Sequence, residues 1–239
     1  MRYPRVSPHF LACRVAVRPF LRPGAVTVGL SGGADSLALL AAAVAEGQVV
    51  RAVVVDHQLQ SGSAQVAEQA RAQAEQLGAG AQVRTVAVER SGSLEAAARQ
   101  ARYAALLEDD GEVWVAHTRD DQAETLLLGA LRGNPSGMAP RAGRLVRPFL
   151  TVRRADTLGA CAELGLEPWH DPHNEDPAFR RVALRQNCLP QFNGLVQYRY
   201  SKIICTKRGQ SPGNFHSPMA ISISFDYAHN LNLRPGQPA

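Results

Sequence analysis

The chain has 239 residues, 45% hydrophobic and 20% charged, which is the balance of a globular protein with room for one α/β domain and an extra piece. It contains no run of 18 apolar residues, which excludes a transmembrane helix, and Arg14 and Arg18 interrupt the apolar N-terminal stretch in a way that argues against a signal peptide. The net charge of +5 is uneven: residues 1–192 hold 21 basic and 20 acidic side chains and residues 193–239 five and one, so the excess does not by itself mark a nucleic-acid-binding body. The four cysteines, Cys13, Cys161, Cys188 and Cys205, are widely spaced with no Cys-x-x-Cys pair. They suggest reduced thiols in a cytoplasmic protein rather than a disulfide framework or a local zinc site.

In chain order, residues 1–24 read as a basic N-terminal segment. Short valine-rich runs at 25–30, 49–55, 82–88 and 112–117 read as buried strands, mostly continuous as parallel strands covered on both faces should be. Helical patterns fall between them at about 35–46, 63–77, 93–108 and 121–132, the third marked by a capping Ser93 and an acidic first turn. Two more follow at 153–165 and 178–189. The alternation predicts an α/β fold: a doubly wound, mostly parallel sheet with helices on both faces, spanning 25–192.

"SGGADS" (31–36) joins the first strand to the first helix of that alternation. Ligands of such sheets bind outside the carboxyl ends of the strands, and a helix N-terminus there favours an anion. Gly32 and Gly33 admit phosphate oxygens close to the backbone, Ser31 and Ser36 offer hydroxyls, and Ala34 belongs to the same candidate ligand-binding loop. Asp35 would repel a bare phosphate, so its presence points to a bridging magnesium ion. A plain βα turn with a serine cap is the competing reading, and the spacing is that of neither a Walker loop nor Gly-x-Gly-x-x-Gly.

Asp120, Asp121 and Glu124 cluster where the fourth strand enters its helix, either as a cap with a solvated first turn or as a site for a cation. His57 follows the second strand, either as a polar strand terminator or beside whatever ligand the 31–36 loop holds. His117 ends the fourth strand and takes no role. Arg132, Arg141, Arg144, Arg147, Arg153 and Arg154 crowd a stretch without acidic residues between 125 and 155, and residues 1–34 carry five arginines. Both read as phosphate-tracking surfaces or as solvated loops. Residues 193–239 differ in kind: both lysines and all four isoleucines of the chain lie there. This tail is expected to be poorly ordered and not the native continuation of the fold, as after a frameshift; a linker of biased composition is the alternative.

"SGGADS" resembles the pyrophosphate loop of the N-type ATP pyrophosphatases. "VVDHQLQ" (54–60), "SLEAAARQARYAAL" (93–106), "VAHTRDDQAETLLLGALRG" (115–133) and the "RPFL…" segment from 147 onward resemble, in order, segments of the tRNA(Ile)-lysidine synthetases. Members of that family often have Gly, Leu and Arg where this chain has Gln58, Leu59 and Gln60. The resemblance implies an adenine nucleotide alpha hydrolase-like fold and an ATP- and Mg2+-dependent ligase. Its reaction would join L-lysine to the wobble cytidine of the isoleucine tRNA with a CAU anticodon. It further implies that Asp121 and Glu124 recognise lysine and that Arg102, Arg181 and Arg185 contact ATP. Without it, Arg102 is an ordinary surface arginine and Arg181 and Arg185 a solvated helix side. A tRNA thiolase of the same superfamily and an inactive nucleotide-binding remnant are the alternatives.

Overall fold

The computed structural model describes residues 3–4, 6–59, 62–88 and 94–171. The chain divides into a unit Met1–Asn193 and a unit Gly194–Ala239, and every described residue belongs to the first. Ser93, Arg181, Arg185, the helix expected at 178–189 and the tail lie outside the described residues.

Six strands form one sheet in the order β3-β2-β1-β4-β6-β5. β1 (Ala25–Leu30) pairs in parallel with β2 (Val49–Asp56) and β4 (Val113–Trp114), β2 pairs in parallel with β3 (Gly80–Thr85), and β4 with β6 (Leu145–Val146). Only β5 (Arg141–Ala142) runs antiparallel, against β6. The expected doubly wound parallel sheet is therefore present. β3 begins two residues earlier than the valine-rich run suggests, because its register follows β2, from Arg51 opposite Gly80 to Asp56 opposite Thr85. β4 is short, yet its ladder continues through Thr27 N–H to Glu112 O and Val115 N–H to Val146 O, both 2.9 Å.

The period-two alternation of the strands divides the core. Val26, Val28 and Leu30 of β1 and Val50, Ala52 and Val54 of β2 face a cluster shared with α2 (Ala34–Ala45) and α3 (Ser63–Gln76). Val53, Val113 and Val115 face the other way, onto Leu106 of α4 (Leu94–Leu106). Gly29 makes this second layer possible, because a Cβ at that position would lie 2.9 Å from the Leu106 side chain.

The basic N-terminal segment contains a helix, α1 (Pro8–Val17), which buries Phe10, Cys13 and Val17 against α2 and α6 (Arg154–Leu164). Ser7 does not cap α1 with its side chain. The Glu163 carboxylate of α6 does so instead, accepting the His9 and Phe10 N–H groups at 3.2 and 2.8 Å. Among the described residues, no helix is long and apolar enough to cross a membrane.

Candidate functional site

β1 continues to β2 on one side of the sheet, and β4 lies on its other side, so the strand order reverses between β1 and β4. At such a reversal the loops leaving the strands diverge and open a crevice. Here a cleft of about 740 Å³ lies at the carboxyl ends of β1, β2 and β4. Ser31, Asp35, Ser36, His57, Arg102 and His117 all line it.

The loop from Ser31 into α2 is braced from within. Ser36 Oγ donates to Gly33 O at 2.9 Å, accepts the Ser31 N–H at 3.2 Å and lies 3.1 Å from Ser31 Oγ. Ser36 is buried, so its hydroxyl sets the loop's shape rather than standing free for a ligand. Gly32 sits at φ +80°, and a Cβ there would lie 3.3 Å from Ala70 Cβ, so the fold itself requires glycine at 32. Gly33 differs. Its φ is −74°, and a Cβ there would meet nothing closer than 3.7 Å. Gly33 is also the N-cap of α2 and offers no side-chain acceptor, which leaves the first-turn N–H groups for an external anion. From the far side, Trp169 N–H donates to Gly32 O at 3.0 Å, pinning the 166–171 segment over the loop.

Arg102 and Leu106, one turn apart on α4, both reach the cleft wall, so the face that packs on Gly29 also delivers the guanidinium. His57 has a lowered pKa, from burial and then from Arg102. Burial likewise pushes His117 down to about 4, with Arg147, Arg99 and Arg102 adding to the effect against Asp121. Both imidazoles are therefore neutral at pH 7, and neither buried Nδ1 has a hydrogen-bond partner among the described residues.

The acidic cluster combines features of both sequence expectations, a helix cap and carboxylates gathered around a cation. α5 (Arg119–Leu131) starts with a capping box: Asp121 Oδ2 accepts the Thr118 N–H at 2.7 Å, and Thr118 Oγ1 accepts the Asp121 N–H. Asp120 Oδ2 accepts the Arg154 N–H at 2.8 Å and so holds the start of α6. Asp121 Oδ1 meets Arg154 Nη2 at 2.6 Å, Glu124 Oε1 lies 3.4 Å from Nη1, and Asp35 Oδ2 lies 3.8 Å from Nε. Burial works against the Arg154 charge, but Asp121, Glu124, Asp35 and Asp120 outweigh it and raise its pKa. Asp35 also accepts a short hydrogen bond from Thr157. Burial pushes its carboxyl up to about 6, with Thr157 and Arg154 opposing. Asp121 and Glu124 thus do not line the cleft; they connect to it through Arg154 and Asp35.

Most of the described arginines of the basic stretches have partners within the protein, although several stay about half exposed. Arg141 pairs with Glu112, Arg153 with Asp156, and Arg144 donates to the Leu107 and Asp109 carbonyls. Arg147 is buried and donates to Ala139 O. Arg14 and Arg18 share Glu46, and Arg22 takes Glu112. Arg132 is exposed. Arg154 stands apart from the others in meeting three carboxylates, which nothing in an arginine-rich run marks in advance.

A glycine-bearing loop at the reversal point of a doubly wound sheet, beside a cleft lined by an arginine and two histidines, is the arrangement in which α/β proteins hold ligands. A family model described as a PP-loop domain matches residues 13–192, and the chain belongs to that family. It is 56% identical over 194 residues to the tRNA(Ile)-lysidine synthase of Corynebacterium glutamicum, covering 80% of this chain and 62% of that protein. It is 54% identical over 195 residues to the synthase of Rhodococcus jostii, covering 77% and 60%. The chain thus spans about three fifths of the length of these curated relatives. Among solved structures it is similar to the U34-tRNA thiolase of Methanococcus maripaludis, with TM-score 0.65 and 15% identity over 85% of this chain and 81% of that one. That likeness concerns the fold alone.

Proposed function

We propose that this chain carries the ATP-binding and adenylating site of a tRNA(Ile)-lysidine synthase, a carbon–nitrogen ligase of the cytoplasm. ATP adenylates the wobble cytidine of the isoleucine tRNA with a CAU anticodon, with release of pyrophosphate; the lysine amine then displaces AMP. The observation that carries the reading is the loop that brings Ser31, Asp35 and Ser36 to the cleft at the start of α2, in a chain more than half identical to curated synthases over about four fifths of its length. Phosphoryl-type chemistry needs positioning and charge neutralisation more than a side-chain nucleophile. The α2 N-terminus, with Ser31 to Asp35, receives the departing phosphates, and Ser36 keeps that loop in shape. Arg102 reaches them from α4, and His57 lies beside the nucleotide as a neutral hydrogen-bonding group. Arg181 and Arg185 are assigned to ATP by resemblance. Asp121 and Glu124 form the lysine subsite.

Magnesium fits this arrangement. The ion usually takes one or two protein carboxylates and completes its shell with phosphates and water. Asp35 is the carboxylate at the lip of the loop, and its raised pKa marks a charge that burial leaves under-compensated. Asp35 would hold the ion, which neutralises charge on the leaving phosphates.

The chemistry of the described cysteines favours the ligase over a thiolase. Cys13 and Cys161 are buried, and burial pushes both thiols up to about 12, whereas sulfur transfer needs an accessible thiolate.

The test is incorporation of labelled lysine into the isoleucine tRNA bearing CAU, with ATP and magnesium. ATP-dependent incorporation that Asp35→Asn abolishes is the expected result. Entry of sulfur instead of lysine would establish the thiolase reading. Nucleotide binding with neither transfer would reduce the chain to a nucleotide-binding module.

A further inference from the structure

Arg154 stands where a substrate cation would have to stand. Glu124 is 1% exposed at its side chain and Asp121 16%, and neither lines the cleft, so a ligand cannot reach them directly in this conformation. Arg154, at 23%, is the most open member of that trio. The Asp121 oxygen that the helix cap does not use is the one Arg154 holds, since Oδ2 serves Thr118 and Oδ1 serves Nη2.

The grip on Arg154 is also uneven. A guanidinium fixed by geometry makes two parallel bonds to one carboxylate. Arg154 instead spreads over three, at 2.6, 3.4 and 3.8 Å. Its place is therefore set by charge more than by shape, and another cation satisfies the same carboxylates. Its backbone does not depend on that grip, because the Arg154 N–H is tied separately to Asp120. The side chain can leave while the start of α6 stays anchored.

We propose that the Arg154 side chain is a resident cation of the Asp121–Glu124 pair and that the ammonium group of the incoming amino acid takes its place. The inference rests on the reading of that pair as the lysine subsite. Arg154 thereby supplies a positive charge beside Asp121 and Glu124 when no substrate is present, and it sets a threshold: only a ligand bringing its own positive charge gains the subsite. A neutral ligand of similar length would displace the Arg154 charge from Asp121 without replacing it, at a cost beyond the gain from apolar contact.

The experiment compares L-lysine binding to the full chain by calorimetry and thermal shift in wild type, Arg154→Met and Arg154→Lys. Hexanoate, of the same length without an ammonium, is the control. Competition predicts that Arg154→Met melts below wild type but binds lysine about tenfold more tightly, as for other close charge pairs, and gains more melting temperature from it. Arg154→Lys retains a resident cation and binds lysine as wild type does; hexanoate raises no melting temperature. Should Arg154→Met fail to fold, Arg154→Gln, whose amide still donates to Asp121, carries the same comparison. Lysine binding that is equal or weaker without the arginine overturns the proposal while leaving the subsite reading intact. No lysine binding to any of the proteins removes the subsite reading and the proposal with it.

Discussion

The phosphate loop and the Arg154 nest meet at Asp35, yet they are organised in opposite ways. The loop lies at the open cleft: Ser36 braces it internally, and Ser31, Asp35 and Ser36 line the cavity. The nest is the more closed of the two, with the Arg154 guanidinium among the carboxylates of Asp35, Asp121 and Glu124, of which Glu124 is buried. An open amide cradle costs little to maintain in water, because the N–H groups remain hydrated. Buried carboxylates cannot wait unpaired, because desolvating an isolated charge costs several kcal/mol. Sites for anions at helix ends can therefore stay empty, while sites for cations built from buried acids need an internal occupant.

The largest effect should come from breaking the closed side. Arg154→Met is expected to cost about 3–5 kcal/mol of unfolding free energy, the penalty for removing one partner of a buried charge cluster. Arg141→Met, removing an arginine that is 47% exposed beside Glu112, should cost below about 1 kcal/mol. Urea titration of both variants separates the two classes, and equal losses would erase the distinction between nest and surface pair.

Next comes a pH effect at the boundary of the two regions. The native pKa of His117 lies at about 4, below the ordinary histidine value of 6.5. Between those values the folded protein binds fewer protons than the unfolded chain, so stability falls as pH drops through the window and the loss is complete below pH 4. The shift corresponds to about 3 kcal/mol as an order of magnitude. Asp35, whose pKa is raised from 3.8 to about 6, acts in the opposite sense, stabilising the protein as pH falls through that range. The informative quantity is therefore the difference in pH–stability slope between wild type and His117→Gln. A His117 ring signal that titrates near pH 6.5 by NMR would refute the assignment.

On the open side, Gly33→Ala should leave stability within about 0.5 kcal/mol, because the added methyl meets no atom within 3.6 Å at an ordinary φ. Under the proposed phosphate-binding role of the loop the methyl crowds the approaching oxygens, so ATP affinity should fall about ten- to a hundredfold by calorimetry. Gly32→Ala is the contrasting variant: at φ +80° and 3.3 Å from Ala70 it should cost fold stability of about 1–3 kcal/mol. If Gly33→Ala bound ATP normally, the loop would be a plain turn.

How much of this was readable in the sequence follows from the same contrast. The loop is contiguous, so its glycines, hydroxyls and flanking strand declared it, and four strands and five helices appeared within a few residues of their expected places. The nest joins positions 35, 121, 124 and 154, which no local pattern connects. Arg154 was hidden among five other arginines, and its burial depends on α6 packing back on α2. α1 was missed because Arg14 and Arg18 flank its core residues, and its missing cap is supplied 153 positions away by Glu163. Local chemistry was legible; compensation across the fold was not, because charge pairs are chosen by the tertiary structure.

The smallest effect tests the rim of the cleft, where open loop and covalent strain meet. Gln58 lines the cleft and is the only non-glycine with positive φ, at 54°, among the described residues. Its N–H donates to Asp56 Oδ1 at 2.9 Å, a turn that holds the chain in this conformation just after β2. A side chain in the left-handed region costs about 1–2 kcal/mol, and glycine avoids that cost while losing somewhat more chain entropy on folding. Gln58→Gly should therefore raise stability by up to about 1 kcal/mol in urea titration, since the Asp56 bond uses only the backbone. ATP affinity should change less than about threefold, because the loop amides do not depend on this turn. A destabilised Gln58→Gly would mean that the glutamine side chain itself supports the rim.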